Sequence, residues 1–154
     1  MRYASLLVFL LAVSCNSITE YSDKILRKSI NAQYLNAHNK IRKSHGVPKI
    51  HWNEDLAEKS LRQAKEFSEN CQTNIIPFAI DAFYQGWGSI VITPREVVER
   101  WKAEGASIYR QIVSRHTLAV GCAYSMCKDE SSQANSIIHV CNYYEKPLLE
   151  RILK

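Results

Sequence analysis

The chain has 154 residues, 46% of them hydrophobic and 23% charged, which suits one globular domain and excludes a disordered chain. With 5 Gly and 4 Pro it is neither collagenous nor of low complexity. The formal charge of +5 is spread along the chain in runs no longer than two, so no basic stripe marks a nucleic-acid interface and nucleic acid is not expected as a partner.

Met1 and Arg2 open the chain with a positive charge, Leu6 to Val13 are uninterrupted apolar residues, and the small residues Ser14, Cys15 and Ser17 follow. This order predicts a secretory signal peptide over 1–17, since so short a run spans a bilayer poorly. A single domain is expected over 18–154. It should be secreted, extracellular, soluble rather than membrane-spanning, and monomeric. Setting Cys15 aside leaves Cys71, Cys122, Cys127 and Cys141, an even set that reads as a disulfide framework with three alternative pairings. The spacing from Cys122 to Cys127 is wrong for a zinc ribbon.

Residues 29–44 place Ile30, Tyr34, Leu35, His38 and Ile41 at helical spacing, and Gly46 and Pro48 close that helix. A second helix starts at Asn53, a capping residue followed by Glu54 and Asp55 in the first turn. Its expected buried stripe is Leu56, Ala57, Ser60, Leu61, Ala64, Phe67 and Cys71. A third start at Thr93, Pro94 and Glu96 combines a cap, a proline in the first turn and a capping-box glutamate. Val97, Val98 and Trp101 follow on one face, and Gly105 is the expected stop. The remainder reads as strands: a short mixed one from Tyr109 to Arg115, then 117–126 with Leu118, Val120, Cys122 and Tyr124 on one face, then 136–144. The polar residues 128–135 between the last two predict a hairpin. Helices first and strands last favour an α+β fold.

Four stretches together resemble the CAP superfamily of cysteine-rich secretory, antigen-five, pathogenesis-related and venom-allergen-like proteins. They are Leu35 to Arg42 (L-x-x-H-N-x-x-R), Trp52 to Ala57 (W-x-x-x-L-A), Thr93 to Glu104 (T-P-x-x-x-V-x-x-W-x-x-E), and the pair Val120-Gly121-Cys122 and Val140-Cys141-Asn142-Tyr143. The resemblance implies a three-layer α/β/α sandwich around a small antiparallel sheet. It also implies bridges from Cys71 to Cys127 and from Cys122 to Cys141.

The chain departs from the family at its metal-binding tetrad of two His and two Glu. Ile75 stands where the first His would be, Trp87 or Ser89 where the first Glu would be, and Ile108 where the second His would be. Only Glu104 keeps its tetrad identity. One carboxylate and two isoleucines cannot hold a divalent ion or supply a general base. No metal or other cofactor is therefore expected at that cavity, and no enzymatic activity. The loop from Glu104 to Gln111 is also short.

Among the remaining histidines, His38 is expected to be partly buried and structural, and His45 and His51 solvated. His116 and His139 are expected to add unrelated surface polarity, the alternative being that they face each other across the hairpin as a two-His surface site. Residues 75–92 read as a loop region that is unusually apolar; they are expected to fill the space of the missing polar cavity, with Phe78, Phe83, Tyr84 and Trp87 as candidate ligand contacts. The expected role is that of an extracellular binding or immunomodulatory protein with an unidentified protein or lipid partner. The alternative is a sterol or fatty-acid carrier using the 75–92 segment.

Overall fold

The computed structural model describes the backbone of residues 3–69, 82–86, 92–104, 106–128 and 135–147, and side chains over 19–69, 92–102, 109–126 and 137–147. Helix α1 spans Tyr3–Ser44, so the helix expected from residue 29 begins much earlier and takes in the apolar run at the start of the chain. Arg42 and Lys43 in its last turn favour the negative end of the helix dipole. Gly46 ends it in the left-handed region, with φ of 64° and amides bonding back to the last turn. A side chain there would meet nothing within 4 Å, so it is the backbone conformation that calls for glycine.

Strand β1 is the pair His51–Trp52, and α2 follows at Glu54–Glu69. The cap works as expected: Asn53 Oδ1 accepts the Leu56 amide at 2.9 Å. Ser60 and Ala64 are the buried residues of α2, while Leu56, Ala57, Leu61 and Phe67 are half-buried and Cys71 lies outside the described residues. Strand β2 occupies Ala82–Gly86, within a stretch read as loop from the sequence. Helix α3 spans Pro94–Glu104. Thr93 and Glu96 form the reciprocal capping box, the Glu96 carboxylate accepting the Thr93 amide and hydroxyl at 2.8 Å each. Those bonds hold the Glu96 carboxyl below its usual range.

The expected strand from Tyr109 to Arg115 is instead helix α4, Ala106–Val113. Its mixed apolar pattern also satisfies a helical period, and packing against α1 and α3 selects the helix. Strands β3, Thr117–Lys128, and β4, Asn135–Glu145, form the expected hairpin. A register shift between Thr117 and Ala119 turns Leu118 outward, 38% exposed, against the expected alternation.

The sheet order is β1-β3-β4-β2. Three strands are antiparallel, and the two-residue β1 adds a parallel edge to β3. Helix α2 covers one face, packing on β3 and β4, and α1, α3 and α4 occupy the other side. These are the three layers of an α/β/α sandwich. The larger core lies on the α1 side, where Tyr34, Ile41, Val97, Val98, Trp101, Ile112 and Val120 meet. A smaller core on the α2 side joins Ala64, Ile138 and Val140, with Phe67 against it.

Arg42 locks α1 to the rest of the larger layer. Its guanidinium is fully buried and donates to the carbonyls of Pro48 at 2.6 Å, Ile112 at 2.8 Å, Ser114 at 2.9 Å and Thr117 at 3.4 Å. The five donors of the planar fork reach several carbonyls at once, which an ammonium could not match. Asn39 adds a two-bond clamp on Ile50, accepting its amide at 2.9 Å and donating to its carbonyl at 3.0 Å. That clamp leads the chain into β1.

Candidate functional site

Two helix residues and two strand residues form a crossed pair of buried hydrogen bonds between α1 and β4. Tyr34 and His38 lie one turn apart on α1, and His139 and Tyr143 lie four apart on β4, hence on one face. The Tyr34 hydroxyl contacts His139 Nδ1 at 2.6 Å, and His38 Nε2 contacts the Tyr143 hydroxyl at 2.8 Å. His38 Nδ1 lies 2.8 Å from the Tyr34 carbonyl, which can only accept. The proton of His38 is therefore on Nδ1, and Nε2 accepts from Tyr143. The Ile92 backbone acts on His139 as an acceptor, which favours the proton on Nε2, so the Tyr34 hydroxyl donates to His139 Nδ1.

Burial holds both imidazoles neutral. It lowers the His38 pKa from 6.5 to about 4, assisted by the Arg42 charge and opposed by the bond to the Tyr34 carbonyl. Burial likewise lowers His139 to about 4, opposed by the Ile92 backbone. Burial, with Tyr124 nearby, raises the Tyr34 hydroxyl above its usual range. Tyr34 and both histidines thus remain uncharged at neutral pH. Trp52 Nε1, Trp101 Nε1 and His139 Nε2 are buried donors without a well-aligned partner among the described residues.

The histidines depart from the sequence expectation in two ways. His38 is fully buried rather than partly so. His139 does not face His116: it pairs with Tyr124 and Tyr84 across the sheet, and only 1% of it is exposed. His116 sits at the exposed end of the sheet, its carbonyl accepting the Lys146 amide at 2.8 Å. The two-His surface site is therefore not formed, because the hairpin register separates the two residues. The signal for the buried pairs was present in the sequence as two four-residue spacings, Tyr34–His38 and His139–Tyr143. Nothing local indicated that they would meet.

Glu104 is the last residue of α3 and Ile108 lies on α4; the side chains of both are outside the described residues. Phe83 and Tyr84 belong to β2, opposite Val140 and His139 in register. Phe78, Trp87, Ile75 and Cys71 lie outside the described residues, so the expected bridge from Cys71 to Cys127 does too. Cys127 is placed on β3 opposite Ser136. Cys122 and Cys141 stand directly opposite each other and are bridged, with 4.1 Å between their Cα atoms.

A groove of about 430 Å³ opens between α1, α2 and β3. Leu26 and Ile30 of α1, Ala57 and Leu61 of α2, and Cys122, Ala123 and Tyr124 of β3 contribute its wall. Asp23, Arg27, Glu54, Glu58 and Lys65 place charges of both signs around it. Leu26 is 57% exposed here, beside exposed Tyr21 and Ile25 on the same helix.

The groove follows an open edge of the sheet. The Asn53 amide bonds the Val120 carbonyl at 3.0 Å, so the backbone groups of Val120 point toward β1. By the two-residue period those of Cys122 and Tyr124 point the same way. Strand β1 ends at Trp52, opposite Val120. Beyond it, these outward backbone groups have no strand neighbour among the described residues.

The profile of the cysteine-rich secretory protein family, CAP, matches residues 35–143. The chain is similar to the STS14 protein of Solanum tuberosum, 29% identical over 113 residues that cover 62% of this chain and 53% of that protein. It is 28% identical over 129 residues to a probable pathogenesis-related protein of Candida albicans, covering 77% of this chain and 38% of that one. The chain thus spans about half of the first relative's length and less of the second's. The crystal structure of MpPR-1i matches with a TM-score of 0.52 at 21% identity, covering 79% of this chain and 87% of that one, a likeness of fold.

Proposed function

We propose a function from one premise: the chain belongs to the cysteine-rich secretory protein (CAP) family. Within that family it acts as an extracellular, non-enzymatic binding protein, exported by a signal over residues 1–17. It engages a protein partner at the groove between α1, α2 and β3. The observation that carries this reading is the open edge of β3 in the floor of that groove. Backbone groups at Cys122 and Tyr124 that have no strand neighbour among the described residues suit an extended polypeptide added as a strand, and the apolar walls suit its side chains. Charges of both signs on the rim would fix its direction and register.

Other features support a binding role over catalysis. His38, His139 and Arg42 spend their hydrogen bonds on holding layers together. Ile75 and Ile108 stand at the tetrad His positions. Among the described residues, no helix is long and apolar enough to cross a membrane.

Native mass spectrometry of the protein exported from a eukaryotic host tests the reading. A mass for the chain cleaved near residue 17, with two disulfides and neither metal nor lipid, is the expected result. Affinity capture from extracellular fluid should then recover a protein with the wild type and lose it with Leu26→Arg. That substitution is at an exposed position and should leave the fold intact. A stoichiometric lipid adduct would instead favour the carrier. Capture unaffected by Leu26→Arg would remove the groove from the proposal.

A further inference from the structure

We propose that the hairpin disulfide conceals a binding site for a zinc-like divalent ion, formed by Cys122, Cys141 and His38 when the bridge is reduced. One imidazole nitrogen and the two sulfurs lie within 4.8 Å of one another, and all three residues are buried. Sequence spacing could not show this, because His38 comes from α1 and the sulfurs from two strands. Two thiolates and an imidazole are the donor set of a tetrahedral site for Zn²⁺, with a fourth position left for water.

His38 is already prepared as a ligand. Its Nδ1–H is bonded to the Tyr34 carbonyl at 2.8 Å, the outer-shell arrangement that orients metal-bound imidazoles. That tautomer directs the lone pair to Nε2, which accepts only the Tyr143 hydroxyl at 2.8 Å. Cys122 contributes to the groove wall but is only 2% exposed, so reductant and ion reach the sulfurs from the groove after a local opening.

The chemistry balances with a dithiol reductant. The dithiol supplies two electrons and two protons, the Cys122–Cys141 sulfur–sulfur bond breaks into two thiols, and the dithiol becomes a disulfide. The incoming divalent ion displaces both thiol protons to solvent and takes the Nε2 lone pair after the Tyr143 hydroxyl swings away. The bridge and the ion are mutually exclusive, so the oxidised protein has no such site.

The test uses the full chain with Cys15→Ser, Cys71→Ser and Cys127→Ser, so that only the hairpin thiols remain. After reduction and anaerobic desalting, Co²⁺ is titrated and then displaced with Zn²⁺. One equivalent of Co²⁺ should give the absorption of a tetrahedral thiolate complex, absent from the oxidised protein. His38→Asn should weaken binding by about tenfold or more. Should His38→Asn fail to fold, Tyr143→Phe carries the test. It removes the competitor for Nε2 and should tighten binding, and unchanged or weaker binding would overturn the role of His38. The proposal also fails if no thiolate band appears at equimolar metal, or if His38→Asn binds as tightly as its parent. Loss of helical circular dichroism on reduction that metal does not restore counts equally against it.

Discussion

On its α2 side β3 presents Ala119, Gly121, Ala123 and Ser125; on its α1 side it presents Val120, Cys122 and Tyr124. The first face lets a helix backbone come down almost onto the sheet. Ser60 of α2 donates to the Gly121 carbonyl at 2.7 Å and accepts from Asn142 at 2.8 Å, and Ser68 meets Ser125 at 2.9 Å. The second face holds α1 at the distance of aromatic rings and fills the gap with paired tyrosines and histidines. Small residues allow close approach and short side-chain bonds. Large amphipathic ones bury more surface but must find partners for their polar ends.

The close face should be the easier to break. A Cβ at Gly121 would lie 2.2 Å from the Ala57 nitrogen and 2.5 Å from both the Asn53 oxygen and the Leu56 carbonyl carbon, all backbone atoms that cannot turn aside. Gly121→Val is therefore expected to abolish folding, and Gly121→Ala to cost about 3 kcal/mol or more. Urea denaturation of the alanine variant checks this, and a loss under about 1 kcal/mol would show that α2 can retreat.

The aromatic face should fail with acid instead. His38 and His139 have folded-state pKa values of about 4 against an ordinary 6.5. The unfolded chain therefore takes up protons first as pH falls below 6.5, and the folded state loses stability until its own histidines titrate near 4. Each histidine accounts for about 3 kcal/mol over that window. Denaturation midpoints between pH 6.5 and 5 isolate the effect from most carboxylates. His139→Gln keeps an acceptor for Tyr34 and should remove about half of the slope. A pH-independent midpoint in the wild type would place these rings in contact with water.

Ser60→Ala should cost about 1–2 kcal/mol, because it strands one Asn142 donor in the interior and removes the second partner of the Gly121 carbonyl. It is the milder version of the Gly121 test, since it removes bonds from the close face without adding atoms. The smallest effect is expected away from both faces. Thr93→Ala removes the α3 cap and should cost about 1 kcal/mol. If it cost as much as Ser60→Ala, the comparison between interior and surface bonds would lose its force.

Much of this architecture was legible one residue at a time. Asn53 and the Thr93–Glu96 box are local devices, and both cap the helices that they announce. The hairpin was readable from two β-rich runs around a polar turn, and the resemblance to CAP proteins supplied the α/β/α sandwich and the Cys122–Cys141 bridge. The apolar period of 106–113 fitted either element, and only neighbours on α1 and α3 make it a helix. Residues 82–86 become a strand because β4 offers them an edge. The crossed bonds of Tyr34 with His139 and His38 with Tyr143 each span 105 residues, and the donors around the disulfide likewise join α1 to two distant strands. Caps and periods act within a turn or two of chain, so they can be read in order. The pairing of distant polar groups is decided only when burial leaves each of them no partner but the other.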